Sequence, residues 1–375
     1  MAPMTPRQRV LATFNRRPVD RICFQPRIYY WYNGRIAENT MPEKYRGMSM
    51  LEVYDELGAY PRYAPEVLGI SVFKKRTDNT VTTHVTERGR DTITVQDTPI
   101  GSIREVRRQG HVSSGAYRIE YPVKTPDDME VMEYILQHTE FYFDRAAFEK
   151  ASEMFGHRGV VQSFYERSPF QRLMINYMGW ENTIFALNDN PERTHEFMHA
   201  IERWDDGMYE VICDSPLQIV NFGENLDANI DSPRVFEEYL MPYYNRRIAQ
   251  LHGAGKFCHI HIDGAMKPLL PLLDSVDFDG IEAATPEPQG DVTLAELEDA
   301  LGEKILLDGI PAIMFLPEYS DDELIDLATE VLERFSPNLI LGVSDEVPPP
   351  ADIEKVRLVA ELVEDFRPPK SLSNQ

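Results

Sequence analysis

Beyond Thr125, short apolar runs alternate with longer stretches in which apolar positions recur at helical spacing. The runs predict strands at Gly159 to Phe164, Leu217 to Phe222, Lys256 to Ile262, Asp279 to Ala283, Lys304 to Leu307 and Leu339 to Val343. Helix starts stand between them: Ser232-Pro233, the capping box Thr293 to Glu296 and the capping box Ser320 to Glu323. A last helix is predicted from about Ala351 to Phe366. Strands that alternate with helices in this way run parallel, each connection packing back across the sheet.

The first part of the chain reads differently. Thr5-Pro6-Arg7-Gln8 is a capping box with proline at the first helical position, and Arg21 to Arg27 follows as a strand. Trp31 to Tyr63, rich in aromatics and charge, predicts short helices and loops. From about 74 to 124 the pattern has period two and is β-branched, as in Thr80 to Thr86, Asp91 to Val95 and Tyr117 to Tyr121, which predicts an inserted antiparallel meander. The expectation is an α/β fold, a (β/α)8 TIM-type barrel spanning 1–375 as one domain, with a β meander inserted in the N-terminal third. Seven strands are counted; Leu68 to Lys74 or the stretch near Leu173 to Tyr177 would be the eighth. No glycine-rich nucleotide loop follows a strand, which weakens the alternative of an open doubly wound sheet.

The strand Phe257-Cys258-His259-Ile260-His261-Ile262-Asp263 carries the sharpest chemical signal. Alternate residues of a strand share a face. His259, His261 and Asp263 therefore point one way, and Cys258, Ile260 and Ile262 the other. Polar residues also collect at other strand ends: Asn221 to Asp227, Glu282, Asp308, and Ser344 to Glu346. In a parallel barrel these ends meet at one mouth, where active sites lie. His261 with Asp263 is the favoured site pair, since a buried charge there needs a partner. His259, a layer deeper, reads as a satisfied core group. Glu224 and Asp227 serve equally well as loop or helix caps, and Asp345 as a helix-start acid. Cys258 reads as a buried small apolar residue rather than a ligand or nucleophile.

Glu224, His261 and Asp263 are thus the candidate catalytic groups. His261, Asp263, Asp345 and Glu224 are the candidate ligands of a divalent metal, with zinc the leading identity, although an acid/base pair of His261 and Asp263 is the competing use. Candidate substrate contacts are Arg27 and Arg35, which would clamp a carboxylate or phosphate, with Tyr29, Trp180, Asn225 and Glu282.

Composition narrows the partners. The 375 residues carry a formal charge of −24, which argues against nucleic acid. Cys23, Cys213 and Cys258 form no paired motif, Met1 to Arg17 lacks the apolar core of a signal peptide, and no run approaches a membrane span. A cytoplasmic protein acting on a small molecule is expected, with a homodimer admitted.

Met4 to Ala12 with Arg17 to Arg21, Ser232-Pro233 before a helix ending at Gly253-Ala-Gly-Lys256, His261-x-Asp263-Gly264, and Leu341-Gly-Val-Ser-Asp345 together resemble the uroporphyrinogen decarboxylase superfamily. The resemblance implies a (β/α)8 barrel with its site at the strand C-termini. One branch decarboxylates uroporphyrinogen without a cofactor. The other transfers methyl groups between a corrinoid protein and a thiol or similar acceptor, using zinc held by a His-x-Cys-Gly strand end and a later cysteine. Here Asp263 stands at the first cysteine position and Ser344-Asp345 at the second. The leading expectation is a methyltransferase of the second branch: a metal activates a small acceptor or methoxy-type donor, and a corrinoid on a partner protein docks at the mouth. The alternatives are a cofactor-free decarboxylase of a carboxylated ring and a non-catalytic tetrapyrrole- or corrinoid-binding barrel.

Overall fold

A computed structural model describes residues 3–110 and 115–368. The chain falls into two compact units: 1–72, 145–165 and 217–375 form the first, and 73–144 with 166–216 the second.

The first unit is built on a parallel sheet. Strands Cys23–Phe24, Leu339–Ser344, Ile305–Pro311, Gly280–Glu282, Phe257–His261 and Ile219–Phe222 are hydrogen-bonded in that order. The expected strand at Arg21 to Arg27 shrinks to two residues, because Pro26 cannot extend the ladder and the helix Tyr29–Ala37 follows at once. Beyond Cys23–Phe24 the edge continues through single contacts. The Tyr60 N–H donates to the Phe24 carbonyl at 3.0 Å, Tyr63 bridges Gln162 in parallel, and the Ala64 N–H donates to the Gln162 carbonyl at 3.1 Å. The predicted strand Gly159 to Phe164 survives only as that bridge. Eight extended segments thus lie in a row, and the eighth is the stretch around Tyr63.

Both positions considered for the eighth strand have other structures. Ala64–Leu68 is a short helix, and Phe73–Thr77 pairs antiparallel with Thr139–Phe143 in the second unit. Arg172–Tyr177 is a π-helical turn. Apolar content alone does not separate a strand from a buried helical turn.

Helices start where side chains can satisfy their free N–H groups. Thr5, Thr125, Thr293 and Ser320 each accept from the third helical N–H in a complete capping box, and Ser232 accepts from the Val235 N–H. The first unit packs Val10 and Phe14 with Cys23, Val160, Ile219, Ile305, Leu307 and Ile340 in one buried cluster.

The second unit holds the expected meander, Thr82–Arg88, Asp91–Thr98, Gly101–Gln109 and Ala116–Glu120, in sequential antiparallel order. It also takes in the helices Pro126–Gln137 and Pro191–Asp214. Its core joins Ile103, Met129, Met132, Ile135, Leu173, Phe197 and Ile201. Trp204 and Tyr209 lie on the long helix as a core stripe, and Trp204 Nε1 donates to the Thr139 carbonyl at 2.8 Å. No helix among the described residues is long and apolar enough to cross a membrane.

Two glycines let polar groups approach the backbone. A Cβ at Gly264 would lie 2.4 Å from the Asp227 Cβ, and one at Gly342 would lie 2.2 Å from Asp308 Oδ1 and 3.0 Å from the Gln25 carbonyl. Gly342→Ala is expected to lower stability by about 1–3 kcal/mol through overpacking against fixed backbone. Urea unfolding measures this, and a midpoint equal to that of the parent protein would contradict it.

Candidate active site

The strand register builds the site. Glu282 pairs with His261, Gly280 with His259, and Asn221 with His259 across neighbouring parallel strands, so their side chains leave the same face. Glu282 is fully buried, and four donors surround its carboxylate. Arg62 Nη1 and Tyr63 Oη donate to Oε1, each at 2.6 Å, and Asn221 Nδ2 and His261 Nδ1 donate to Oε2 at 3.2 and 2.9 Å. Arg62 forks onto Asp308, with Nη2 to Oδ1 at 2.8 Å and Nη1 to Oδ2 at 3.1 Å. Burial disfavours ionisation of Glu282, but the His261 hydrogen bond and the Arg62 charge hold its carboxyl well below the usual range. Burial pushes Asp308 the other way, up to about 6, against the pull of Arg62.

His261 Nδ1 is committed to Glu282, so Nε2 faces outward. It lies 3.6 Å from Asp263 Oδ2 and 3.7 Å from Asp345 Oδ1. These three ligand atoms lie within 4.8 Å of one another. Bonds of zinc length at tetrahedral angles would place ligand atoms about 3.4 Å apart. Small side-chain shifts therefore suffice to hold a divalent cation. The Glu282–His261 pair supplies the carboxylate-to-imidazole contact that fixes a metal-ligating tautomer. Asn225 Nδ2 donates to Asp263 Oδ2 at 2.9 Å and orients that carboxylate. Burial opposes charge on His261, yet hydrogen bonds to Asp263 and Glu282 and the nearby Asp345 raise its pKa to about 10. A cation at Nε2 would replace a proton there.

Arg27 is buried and paired with Asp345, Glu66 and Glu346, the last at 2.8 Å. Its guanidinium is neutralised by the chain's own carboxylates. Burial pushes Glu346 well above the usual carboxyl range, and the Tyr30 N–H donates to it at 2.9 Å. His259 is fully buried with Nε2 3.0 Å from Gln162 Oε1, and burial lowers its pKa to about 4.

The structure thus gathers His261, Asp263, Asp345, Asn225, Glu282 and Arg27. Glu224 stands outside the three-ligand group; it is buried and accepts from Tyr244 Oη at 3.0 Å. Arg35 lines a separate cavity with Trp31, Tyr45 and Pro350, and its Nη2 donates to the Ala351 carbonyl at 3.3 Å. Tyr29 is half-buried against Tyr30. Trp180 belongs to the second unit, where it opens a helix and is exposed. Arg62, Tyr63 and Glu66 were not foreseen. Arg62 and Tyr63 sit in an irregular loop and Glu66 in the short helix Ala64–Leu68, with no periodicity to set their direction; the one signal was a charged residue, Arg62, flanked by Pro61 and Tyr63.

The fold and its strand-end site define an α/β protein whose chemistry lies where parallel strands terminate. The sequence pattern of the family described as Uroporphyrinogen decarboxylase (URO-D) matches residues 112–366, and the chain belongs to that family. A methyltransferase from Methanosarcina mazei has the same fold: 14% identity and a TM-score of 0.62, covering 97% of this chain and 99% of that one. A Listeria monocytogenes protein assigned to the vitamin-B12 independent methionine synthases is less similar, with 13% identity and a TM-score of 0.43 over 92% of this chain and 96% of its own. Comparison with curated protein sequences gives no match.

Two outcomes follow from this geometry. Arg62→Met leaves Glu282 and Asp308 without their shared cation and is expected to cost about 3–5 kcal/mol in urea unfolding. In metal-free protein, the stability due to charged His261 is complete below its ordinary pKa of 6.5 and is lost as pH rises through about 10. Unfolding measured across that window should show a decline that His261→Gln flattens; an equal slope in both proteins would contradict the arrangement.

Proposed function

We propose that the chain is a metal-dependent methyltransferase of the corrinoid-linked type, working at the mouth of a closed (β/α)8 barrel. The proposal of closure rests on packing. In a flat sheet, Cys23 and Ile219, on the two edge strands, would stand roughly 24 Å apart. Both belong to one buried cluster. Asn221 Nδ2 also donates to Tyr63 Oη at 2.6 Å, joining segments from opposite ends of the row.

The single observation that carries the chemical reading is the charge of the site. Glu66, Asp263, Glu282, Asp308, Asp345 and Glu346 gather around Arg27, Arg62 and His261. Both arginines are already engaged by these acids. A site with this excess of carboxyl groups suits a divalent cation and a neutral substrate. A multiply carboxylated ring would meet like charge at the place where decarboxylation needs fixed positive groups. The cofactor-free decarboxylase is therefore the weaker reading.

His261, Asp263 and Asp345 would hold the metal, and their mainly oxygen donor set favours a harder ion or a more electrophilic zinc than thiolates would give. When bound, the ion supplies Lewis-acid polarisation of an acceptor or methoxy oxygen. The chain's own groups do the positioning. Glu282 holds the imidazole, Asn225 turns the Asp263 carboxylate and Arg27 restrains Asp345. The name of the Methanosarcina mazei relative agrees with methyl transfer, and the corrinoid-protein partner is carried from the family resemblance as part of the proposal.

Metal analysis of the purified protein is expected to find about one divalent ion per chain at this site, lost in His261→Ala and bound about 10–100-fold more weakly in Glu282→Gln. Methylcobalamin formation from free cob(I)alamin with methanol or a methoxybenzene should follow metal content. Activity that survives His261→Ala in metal-free protein, or loss of carbon dioxide from uroporphyrinogen, would overturn the proposal.

A further inference from the structure

A second donor cluster lies on the opposite face of the same strand, where Cys258 points into the helix layer. The helix Met241–Gly253 ends beside it and brings His252. His252 Nε2 is 3.8 Å from Cys258 Sγ and 3.0 Å from Asp279 Oδ2, and the three ligand atoms lie within 4.8 Å of one another. Zinc bonded to sulfur at about 2.3 Å and to imidazole at about 2.0 Å at tetrahedral angles would separate those two atoms by about 3.6 Å. The observed spacing is close to this. The other imidazole nitrogen, Nδ1, lies 3.9 Å from Asp277 Oδ2. Arg16, the neighbouring cation, donates to the main-chain carbonyl of Asp279 and not to its carboxylate.

We propose that His252, Cys258 and Asp279 form a second, structural site for a thiophilic divalent cation such as zinc, at the N-terminal end of the sheet. It ties the end of a helix to two adjacent strands. Cys258 is the second residue of the Phe257–His261 strand, and its N–H donates to Asp279 Oδ2 at 2.7 Å, just ahead of strand Gly280–Glu282. Cys258 is fully buried, whereas His252 and Asp279 keep part of their surface, so the ion enters from the helix side. On binding, the thiol proton leaves to solvent and sulfur joins the ion as thiolate. The parity argument that turned Cys258 away from His261 is the same one that turns it toward His252. This site differs in donors from the one proposed for catalysis, which contains no sulfur.

That difference supplies the test. Cobalt(II) titrated into metal-stripped full-length protein is expected to give a near-ultraviolet thiolate-to-cobalt charge-transfer band that saturates within about two equivalents, one for each proposed site. The band should persist in His261→Ala, vanish in Cys258→Ala and weaken at least about tenfold in affinity in His252→Gln, a change at a partly exposed helix end that leaves the core intact. Zinc should raise the melting temperature of His261→Ala, and raise it less in the His252→Gln/His261→Ala double variant. No thiolate band in folded protein, a band surviving Cys258→Ala, or a band lost with His261→Ala would each overturn the proposal. Absence of a metal from the His261 site of the parent protein, with the band present, would instead count only against the catalytic reading.

Discussion

The buried Glu282 carboxylate is the interaction on which the site depends. An ionised carboxyl in the interior is tolerable only with donors on every side, and this one has Arg62, Tyr63, Asn221 and His261. The donors come from three separate stretches of chain. The carboxylate therefore does more than neutralise a charge. It fixes the relative positions of the Tyr63 segment and the strands bearing Asn221 and His261, and it sets which imidazole nitrogen faces the mouth. Replacing the cluster with apolar groups of the same volume would serve stability as well. Its retention is better explained by the orientation it imposes on His261.

Two histidines on one strand face show how local surroundings divide the work. His259 and His261 are both buried, yet their pKa values move apart, to about 4 and about 10. His259 sits beside the neutral amide of Gln162 and stays an uncharged core group. His261 sits two residues nearer the mouth, among Glu282, Asp263 and Asp345, and draws positive charge to itself. The difference lies in the carboxylates that each imidazole reaches.

The strand parity of Cys258 to Asp263, the capping boxes and the meander were legible from sequence because each depends on local periodicity or on a side chain three residues away. The inward face of His259 and His261 followed directly. The Glu282–His261 pairing needed the register of neighbouring strands, which a single sequence does not encode. Arg62 and Glu66 were invisible for a different reason. Arg62 stands in a loop and Glu66 in a five-residue helix, both too short to show a period, and Tyr63 joins the row of extended segments through one bridge. The same lack of pattern misplaced the eighth segment. Arg27 was visible as a cation near the mouth, but its partners Glu66 and Glu346 were not, so its charge looked available to a ligand.

The backbone at the strand ends supports the assignment of function to this region. Asn225, Ala283 and Asp308 have positive φ values of 56°, 64° and 90°. For Ala283 and Asp308 such backbone is costly, on the order of 1–3 kcal/mol each, and persists only where surrounding contacts over-determine it. Those contacts can be named. The Ala283 N–H donates to Asp308 Oδ2 at 3.2 Å, Asp308 is locked by Arg62, and Asn225 is tied to Asp263. Strain, buried charge and polar convergence thus coincide on the strands that lie beside those carrying the three candidate ligands. A framework shaped only by stability would have relieved each of these separately; their joint presence fits one held in place to position His261, Asp263 and Asp345.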